Sequence, residues 1–485
     1  MKKLLALLLV LVMVFSLVAC ASKTETPKEE EPKTEEPAEE PAEEPAEEPA
    51  EEPAEEPAES GDVEVVTYLC SVGAYLDTLQ TEINKWNEGE GKELGVKIDL
   101  TSEINNNSTV FEGQMQAGNY MDITDGISSS FAAYDLQGWL KDLETIDDPE
   151  LKELIESYRP YMLEGLSYVN GKTLALPLEV VPIKLAVNLD LFEKNNLELP
   201  KTWADMVECA KVITENGNGE EFGYGGSTWS AYIRRLAMKA SMNSTETGWW
   251  DPNTGTYSFS QYETPILALR EMYENDCILG LDDLGIDEVR AQFAAGKIGM
   301  FPAPAYDCSV YTQQFPAECN WTVIPMPTYE EGDAPYKGVY LDRVNTVIIA
   351  PAYDNSTPEH QKAVVEAFKF LNSDELYATI YANGGMIPYK QEIIENTEVL
   401  VDIPQWEPMA DITNDTSMFI RPDSILPLEG DTYETVFRSI IHGDLEWNDE
   451  VIGDLEQRYN DAYQAAKDDP DIDTAMYEYS YDHSK

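Results

Sequence analysis

The sequence predicts an α/β protein of two lobes on an extended acidic stalk, and three observations lead there. The chain beyond residue 62 is longer than the roughly 250–300 residues one hydrophobic core organises, so two lobes are expected. Short apolar or alternating runs bounded by polar residues recur among longer stretches of helical period, the pattern of α/β lobes with mostly parallel sheets. Ahead of them, the 37 residues from Thr24 to Ser60 hold 17 Glu against Lys28 and Lys33, with no aromatic and no aliphatic side chain larger than Ala.

The elements follow in order. Val63–Cys70 reads as a strand. Leu76, Leu79, Ile83 and Trp86 then fall at 3,4,3 spacing, one face of a helix. Val96–Leu100 alternates and reads as a second strand, and a further one is expected around Ile123–Ile127. Leu151, Leu154, Ile155, Tyr158 and Met162 mark another helix. Thr202 with Asp205 three residues on forms a variant capping box before Met206, Ala210 and Ile213. Thr357-Pro358 is an N-cap followed by proline at the first helical position, and Val364, Val365, Phe368 and Leu371 form the stripe behind it. Val451, Leu455, Tyr459, Ala462 and Ala466 give a long amphipathic helix near the end. Beyond Lys467 the acidic, Tyr-rich tail has no clear period and is expected to be loosely attached.

At the N-terminus, Lys2 and Lys3 precede an apolar run from Leu4 to Ala19 that is short for a membrane span of roughly 20 residues. Leu17-Val18-Ala19-Cys20 resembles the lipobox of bacterial lipoproteins, which implies cleavage before Cys20 and a diacylglycerol on its thiol. Residues 1–19 then form a signal peptide and 20–62 a lipidated tether, nearly a Pro-Ala-Glu-Glu repeat in its centre. The tether cannot bury enough apolar surface to offset chain entropy, and its recurring prolines rule out a helix. At about 3.1 Å per residue in polyproline II geometry it reaches on the order of 100 Å.

Residues 61–485 carry 27 Lys plus Arg and 75 Asp plus Glu, a net of −48. Such a body repels nucleic acid and anionic headgroups, so neither is an expected partner of it. The same charge suits a cationic ligand or simply a soluble surface. Besides Cys20 there are Cys70, Cys209, Cys277, Cys308 and Cys319, without a Cys-x-x-Cys, and only three widely separated histidines. A thiolate or Cys/His zinc site is therefore not expected, and buried thiols are the default, with a Cys308–Cys319 disulfide the alternative. Asp251-Pro252-Asn253-Thr254-Gly255 has the opening of a calcium loop, but Tyr262 stands where the bidentate acid belongs, so a tight turn is expected. No Gly-x-Ser-x-Gly, His-Glu-x-x-His or phosphate-cradling loop occurs, which argues against an enzyme, and no cofactor is implied.

Gly171-Lys172-Thr173-Leu174-Ala175-Leu176-Pro177-Leu178 continues through Val187-Asn188-Leu189-Asp190-Leu191-Phe192 to Pro200-Lys201-Thr202-Trp203. That succession resembles the extracellular solute-binding proteins (family 1) of ABC importers, the group that includes maltose-binding protein. Phe293–Met300, Trp321–Pro327, Gly384-Gly385-Met386-Ile387-Pro388 and His442-Gly443-Asp444 recur in the order that family shows. The resemblance implies a type II periplasmic-binding-protein-like fold. Lobe 1 is then 63–178 and 327–372, and lobe 2 is 183–325 and 373–467, with a flexible tail at 468–485. Backbone crossings near Leu178–Ile183 and Val323–Pro327 absorb a closing rotation. The implied function is capture of a small solute between the lobes and delivery to membrane permease subunits, without catalysis. Most of the shared motifs are structural and identify the scaffold rather than the ligand.

A carbohydrate is the favoured solute, with a peptide, a polyamine or another cation in the same fold as alternatives and a surface-anchored glycosidase or esterase as a remote one. Sugars need flat aromatic faces and bidentate polar groups, and the chain has 27 Tyr and 9 Trp. Tyr306 stands where many sugar-binding members carry a stacking tryptophan, with Asp307 beside it. Glu179 lies at the first crossing, and Ser128, Ser129 and Ser130 follow the third strand. Tyr75 follows the first strand as an outer contact. Trp229 and Trp250 are open to either ring stacking or core burial, and Tyr340, Asp342, Arg343 and Arg421 to ligand contact or, for the arginines, ion pairing.

Overall fold

The computed structural model describes residues 63–478 except 72, 74, 104–106, 126–130, 163–166, 170, 229–247, 331–337, 413–414, 418–420, 471, 473 and 475–476; for 107–108, 132, 338–345, 415–417 and 424 it describes the backbone. Strands β1 (Glu64–Cys70), β2 (Val96–Ser102) and β3 (Ile123–Thr124) are parallel in the order β2-β1-β3. Alternation along β1 sends Val66, Tyr68 and Cys70 to one apolar cluster and Leu69 to another, so helices cover both faces of the sheet. The first cluster takes Leu79, Ile83 and Trp86 of α1 (Leu76–Glu88) and Leu151, Ile155 and Tyr158 of α2 (Pro149–Tyr158). These are the faces the spacing predicts.

Strand β4 (Leu176–Asn188) joins this layer to the rest, and all 13 of its residues are buried. The sequence reads as two strands butted together here; the structure has one, because nothing between Leu178 and Ile183 turns the chain. Leu176 and Leu178 pack in the first cluster, while Val180, Val181, Ile183 and Leu185 pack in a second. The strand thus changes cores at Glu179. Antiparallel to it runs β9 (Gly338–Ile348), from Tyr340 opposite Pro182 to Thr346 opposite Leu176, and β9 then pairs with β3. Arg343 is the extra residue of a bulge between Asp342 and Val344, and a second irregularity on β4 follows at once.

The second half holds β5 (Phe222–Gly225), β6 (Ile278–Leu279) and β7 (Ile298–Pro304), mutually parallel in the order β6-β5-β7. β7 runs antiparallel to β4 between Met300 and Pro304, and β8 (Trp321–Ile324) lies on the opposite edge of β4, against Leu185–Asn188. The complete sheet is therefore mixed, with parallel sets at its ends and antiparallel pairs about β4. Packed on it are α3 (Trp203–Gly217), α4 (Glu263–Glu274) and α5 (Ile286–Ala294). Thr202 and Asp205 form the expected capping box on α3. Gly223 meets α3 so closely that a Cβ there would lie 2.1 Å from the Ala210 Cα.

Helix α6 (Pro358–Leu371), capped by Thr357, lies on the first half. Helix α7 (Asp374–Ala382) stands at the junction, with Leu376, Tyr377 and Ile380 in the first cluster and Tyr381 in the second. The second half closes with α8 (Tyr433–Ile441) and α9 (Asp449–Asp468). Within the tail, Tyr477 is buried, its carbonyl accepts from Trp250 Nε1 at 3.1 Å, and Glu478 accepts from Tyr463 and Lys467. That stretch is docked by side chains the periodicity does not report. None of the five body cysteines is in a disulfide, and burial pushes the Cys209 and Cys319 thiols up to about 11. Asp251 and Thr256 close a two-strand hairpin in which the Asp251 carboxylate accepts from Asn253 N and Thr254 Oγ1, a tight turn as expected.

His360, in the first turn of α6, bridges Glu64 of β1 (2.9 Å) and Asp122 (3.0 Å) just ahead of β3. Partial burial lowers its pKa, but the hydrogen bonds and charges of Asp122 and Glu64 outweigh that, so the imidazole sits above its ordinary value. The tie is fully present below the unfolded imidazole pKa and is lost as pH rises through the folded one. Urea midpoints measured between about pH 6 and 8 should fall with rising pH, and His360→Gln should flatten that fall. Identical slopes for the two proteins would contradict it.

Candidate functional site

Two sets of parallel strands end near β4, and ligands of open α/β sheets bind beyond such carboxyl ends. On the first side, β1 runs out into Ser71 and β3 into Asp125. One Asp125 oxygen accepts from Ser71 N at 2.6 Å and Ser71 Oγ at 2.5 Å, and the other from Tyr68 OH at 2.5 Å. Burial, only partly offset by those bonds, raises the Asp125 carboxyl above the usual carboxylate range. Tyr75 stands at the start of α1, 3% exposed, and burial followed by the charge of Glu179 holds its phenol well above the ordinary value. Glu179 is itself buried on β4. Gly385 lets the chain after α7 approach, since a Cβ there would lie 2.5 Å from the Tyr75 Cβ. Two residues on, the Ile387 carbonyl accepts from Val180 N.

On the second side, β7 delivers Tyr306 and Asp307. The Ala305 N–H donates to the Pro182 carbonyl at 3.0 Å, which ties this turn to β4. Asp307 is fully buried and paired with Arg290 of α5 at 2.7 Å, so its carboxylate serves the scaffold. Tyr306 is half-buried, with the Arg290 guanidinium 5.5 Å from its ring centroid. Ser309, one turn on, donates to the Gly384 carbonyl at 3.4 Å, a contact between the turn after β7 and the chain after α7.

The structure thus places Tyr75 and Glu179 together with Asp125 and Ser71, and Tyr306 with Asp307 and Arg290. Trp250 is 1% exposed and edge-on to Tyr463 at 4.6 Å, which is core burial. Arg421 lies over the Trp249 ring at 4.5 Å and pairs with Asp423 at 3.4 Å, an ion-pair role. Tyr340, Asp342 and Arg343 lie on β9 opposite Pro182–Glu179, with backbone alone described. Cys20, Ser128, Ser129, Ser130 and Trp229 fall outside the described residues. Asp125, Ser71 and Arg290 escaped the sequence reading. The signal for the first two was position alone: each is the first residue beyond a parallel strand. Among the described residues no three His, Cys, Asp or Glu converge as a metal set.

A search of curated proteins finds no match. Solved structures do match in fold. MalE, the sugar-binding protein of Xanthomonas citri, superposes with a TM-score of 0.63 at 14% identity, covering 83% of this chain and 98% of that one. Apo RafE from Streptococcus pneumoniae gives 0.61 at 16% identity, covering 83% and 99%. Lmo0181 from Listeria monocytogenes, an ABC substrate-binding protein in complex with cycloalternan, gives 0.60 at 17% identity, covering 82% and 98%. The profile of the bacterial extracellular solute-binding proteins spans residues 73–378, from just ahead of α1 into α7 and over strands β2 to β9, and the chain belongs to that family.

Proposed function

We propose that this protein captures a sugar or oligosaccharide between two lobes, is held outside the cell membrane by a lipid on Cys20, and delivers its solute to the permease of an ABC importer. It binds and does not turn its solute over. The observation that carries this is the pairing of carboxyl ends: buried Asp125 and Tyr75 with Glu179 of β4 on one side, and the half-buried Tyr306 on the other. Acids and phenols supply hydrogen bonds to hydroxyls, and a flat ring takes the apolar face of a pyranose. Sugars bound by structural neighbours, raffinose and maltotriose among them, support a carbohydrate. Lobe boundaries near Glu179 fit the change of core on β4 and the bulges beside it, where small backbone changes are absorbed. Among the described residues no helix is long and apolar enough to cross a membrane.

Thermal melts against raffinose, maltotriose and stachyose, with spermidine as the cationic control, test the reading. A sugar present at 100 times its Kd should stabilise the protein by about 2.7 kcal/mol. A shift with spermidine and none with any saccharide would move the ligand to the cationic class. Tyr306→Ala should weaken the saccharide about tenfold, or 1.4 kcal/mol, measured by calorimetry. Unchanged affinity would remove Tyr306 from the site.

A further inference from the structure

Arg290 does more than balance one acid. From α5 its Nη1 reaches Asp287 Oδ1 at 2.9 Å, one turn back on the same helix, and its Nη2 reaches Asp307 Oδ1 at 2.7 Å. The same guanidinium lies over the ring of Tyr306. Its side chain is 11% exposed and Asp307 is 0% exposed, so the pair is largely withdrawn from water while Tyr306 is only half-buried. Tyr306 and Asp307 are consecutive at the start of a helical turn in which Ser309 N and Val310 N donate to the Tyr306 carbonyl. One planar group therefore grips two successive residues, the second through charge and the first through its π face. A lysine supplies the charge without the fork or the flat surface.

We infer that Arg290 is a positioning residue for ligand recognition: it fixes the Tyr306 ring at the angle a sugar meets, with Asp307 as its anchor. This rests on Tyr306 touching the ligand. Because the ring is pinned before binding, its orientation adds no ordering cost when the sugar arrives. The anchor also explains why an acid directly beside a candidate contact residue is turned wholly inward.

The test uses the full chain labelled with 3-fluorotyrosine, the Tyr306 resonance being assigned by its loss in Tyr306→Phe. In Arg290→Lys, which keeps a charge opposite Asp307, the Tyr306 resonance should move and broaden. Arg290→Met with Asp307→Asn gives the same comparison without a buried uncompensated charge, should the lysine variant fold poorly. With raffinose or maltotriose as probe, Arg290→Lys should lose about tenfold in affinity, yet change nothing further in a Tyr306→Ala background. An unmoved fluorine signal in a folded variant overturns the inference, as does an affinity loss of equal size with and without Tyr306. If neither sugar binds the wild type, the fluorine spectrum alone decides whether Arg290 positions the ring.

Discussion

Phe259→Ala should lower stability by about 3–5 kcal/mol, the cost of emptying a fully buried aromatic site. Phe259 is 0% exposed and sits in a ring cluster gathered from four parts of the second half. Tyr433 and Phe437 of α8 lie at centroid distances of 5.3 and 6.0 Å, Tyr459 of α9 at 5.1 Å, and Tyr262 at 6.5 Å. Tyr257 of the hairpin stacks at 6.1 Å. The Phe259 N–H also donates to Glu456 Oε1 of α9 at 2.6 Å. Aromatic pairs contribute beyond area alone, and five neighbours cannot all close in on a missing ring. The measurement is the urea midpoint read by tryptophan fluorescence, since Trp249 and Trp250 lie in the same cluster. Leu400→Ala, at a site 69% exposed, is the control and should cost less than about 0.5 kcal/mol. Equal midpoints for the two variants would mean that the second half is not held together here.

What the sequence reveals about this molecule depends on where the information sits. Helices with an apolar stripe and a side-chain cap are legible because both signals are local: α1 carries its 3,4,3 face, α3 its Thr202–Asp205 box, and α6 its Thr357-Pro358 start. Strand partners are not local, which is why one 13-residue strand reads as two. Pro177 reads as the end of the first, yet it stays in the ladder opposite Asn345, and Pro182 falls where the ladder with β9 ends and that with β7 begins, a place where a missing N–H costs little. Pro325 and Pro327 have the opposite outcome. They follow β8 at Ile324, and the strand that accompanies β4 into the first half is β9, beginning at Gly338. The site is less legible still. Tyr306 and Glu179 could be named from resemblance, whereas Asp125 was hidden by a strand expected to run on to Ile127 and observed to end at Thr124. Arg290 looks like any charged residue on an amphipathic helix until β7 brings Asp307 against it.

Asp125 links stability to the proposed binding site, and Asp125→Ala should cost about 2–5 kcal/mol by leaving the Tyr68 hydroxyl and the Ser71 amide without the acceptor they share. Asp125→Asn should cost much less, because the amide oxygen still accepts from Ser71 and the phenol of Tyr68 can receive as well as donate. The pH dependence separates the two effects. A carboxyl whose folded pKa is raised holds its proton in the native state when the unfolded chain has released it. Its contribution therefore falls as pH rises from the ordinary carboxylate value through the folded one. Asparagine has no proton to lose, so the Asn variant should lack that component and close part of its deficit as pH rises. A deficit that instead widens with pH would mean that the ionised form is favoured by its three donors over the cost of burial. The hydroxyl of Ser71 is aimed by the same carboxylate, which makes the second readout one of binding: if that hydroxyl meets the ligand, Asp125→Asn must weaken saccharide affinity as well as alter the pH profile, and a variant that changes only the latter would confine this acid to the scaffold.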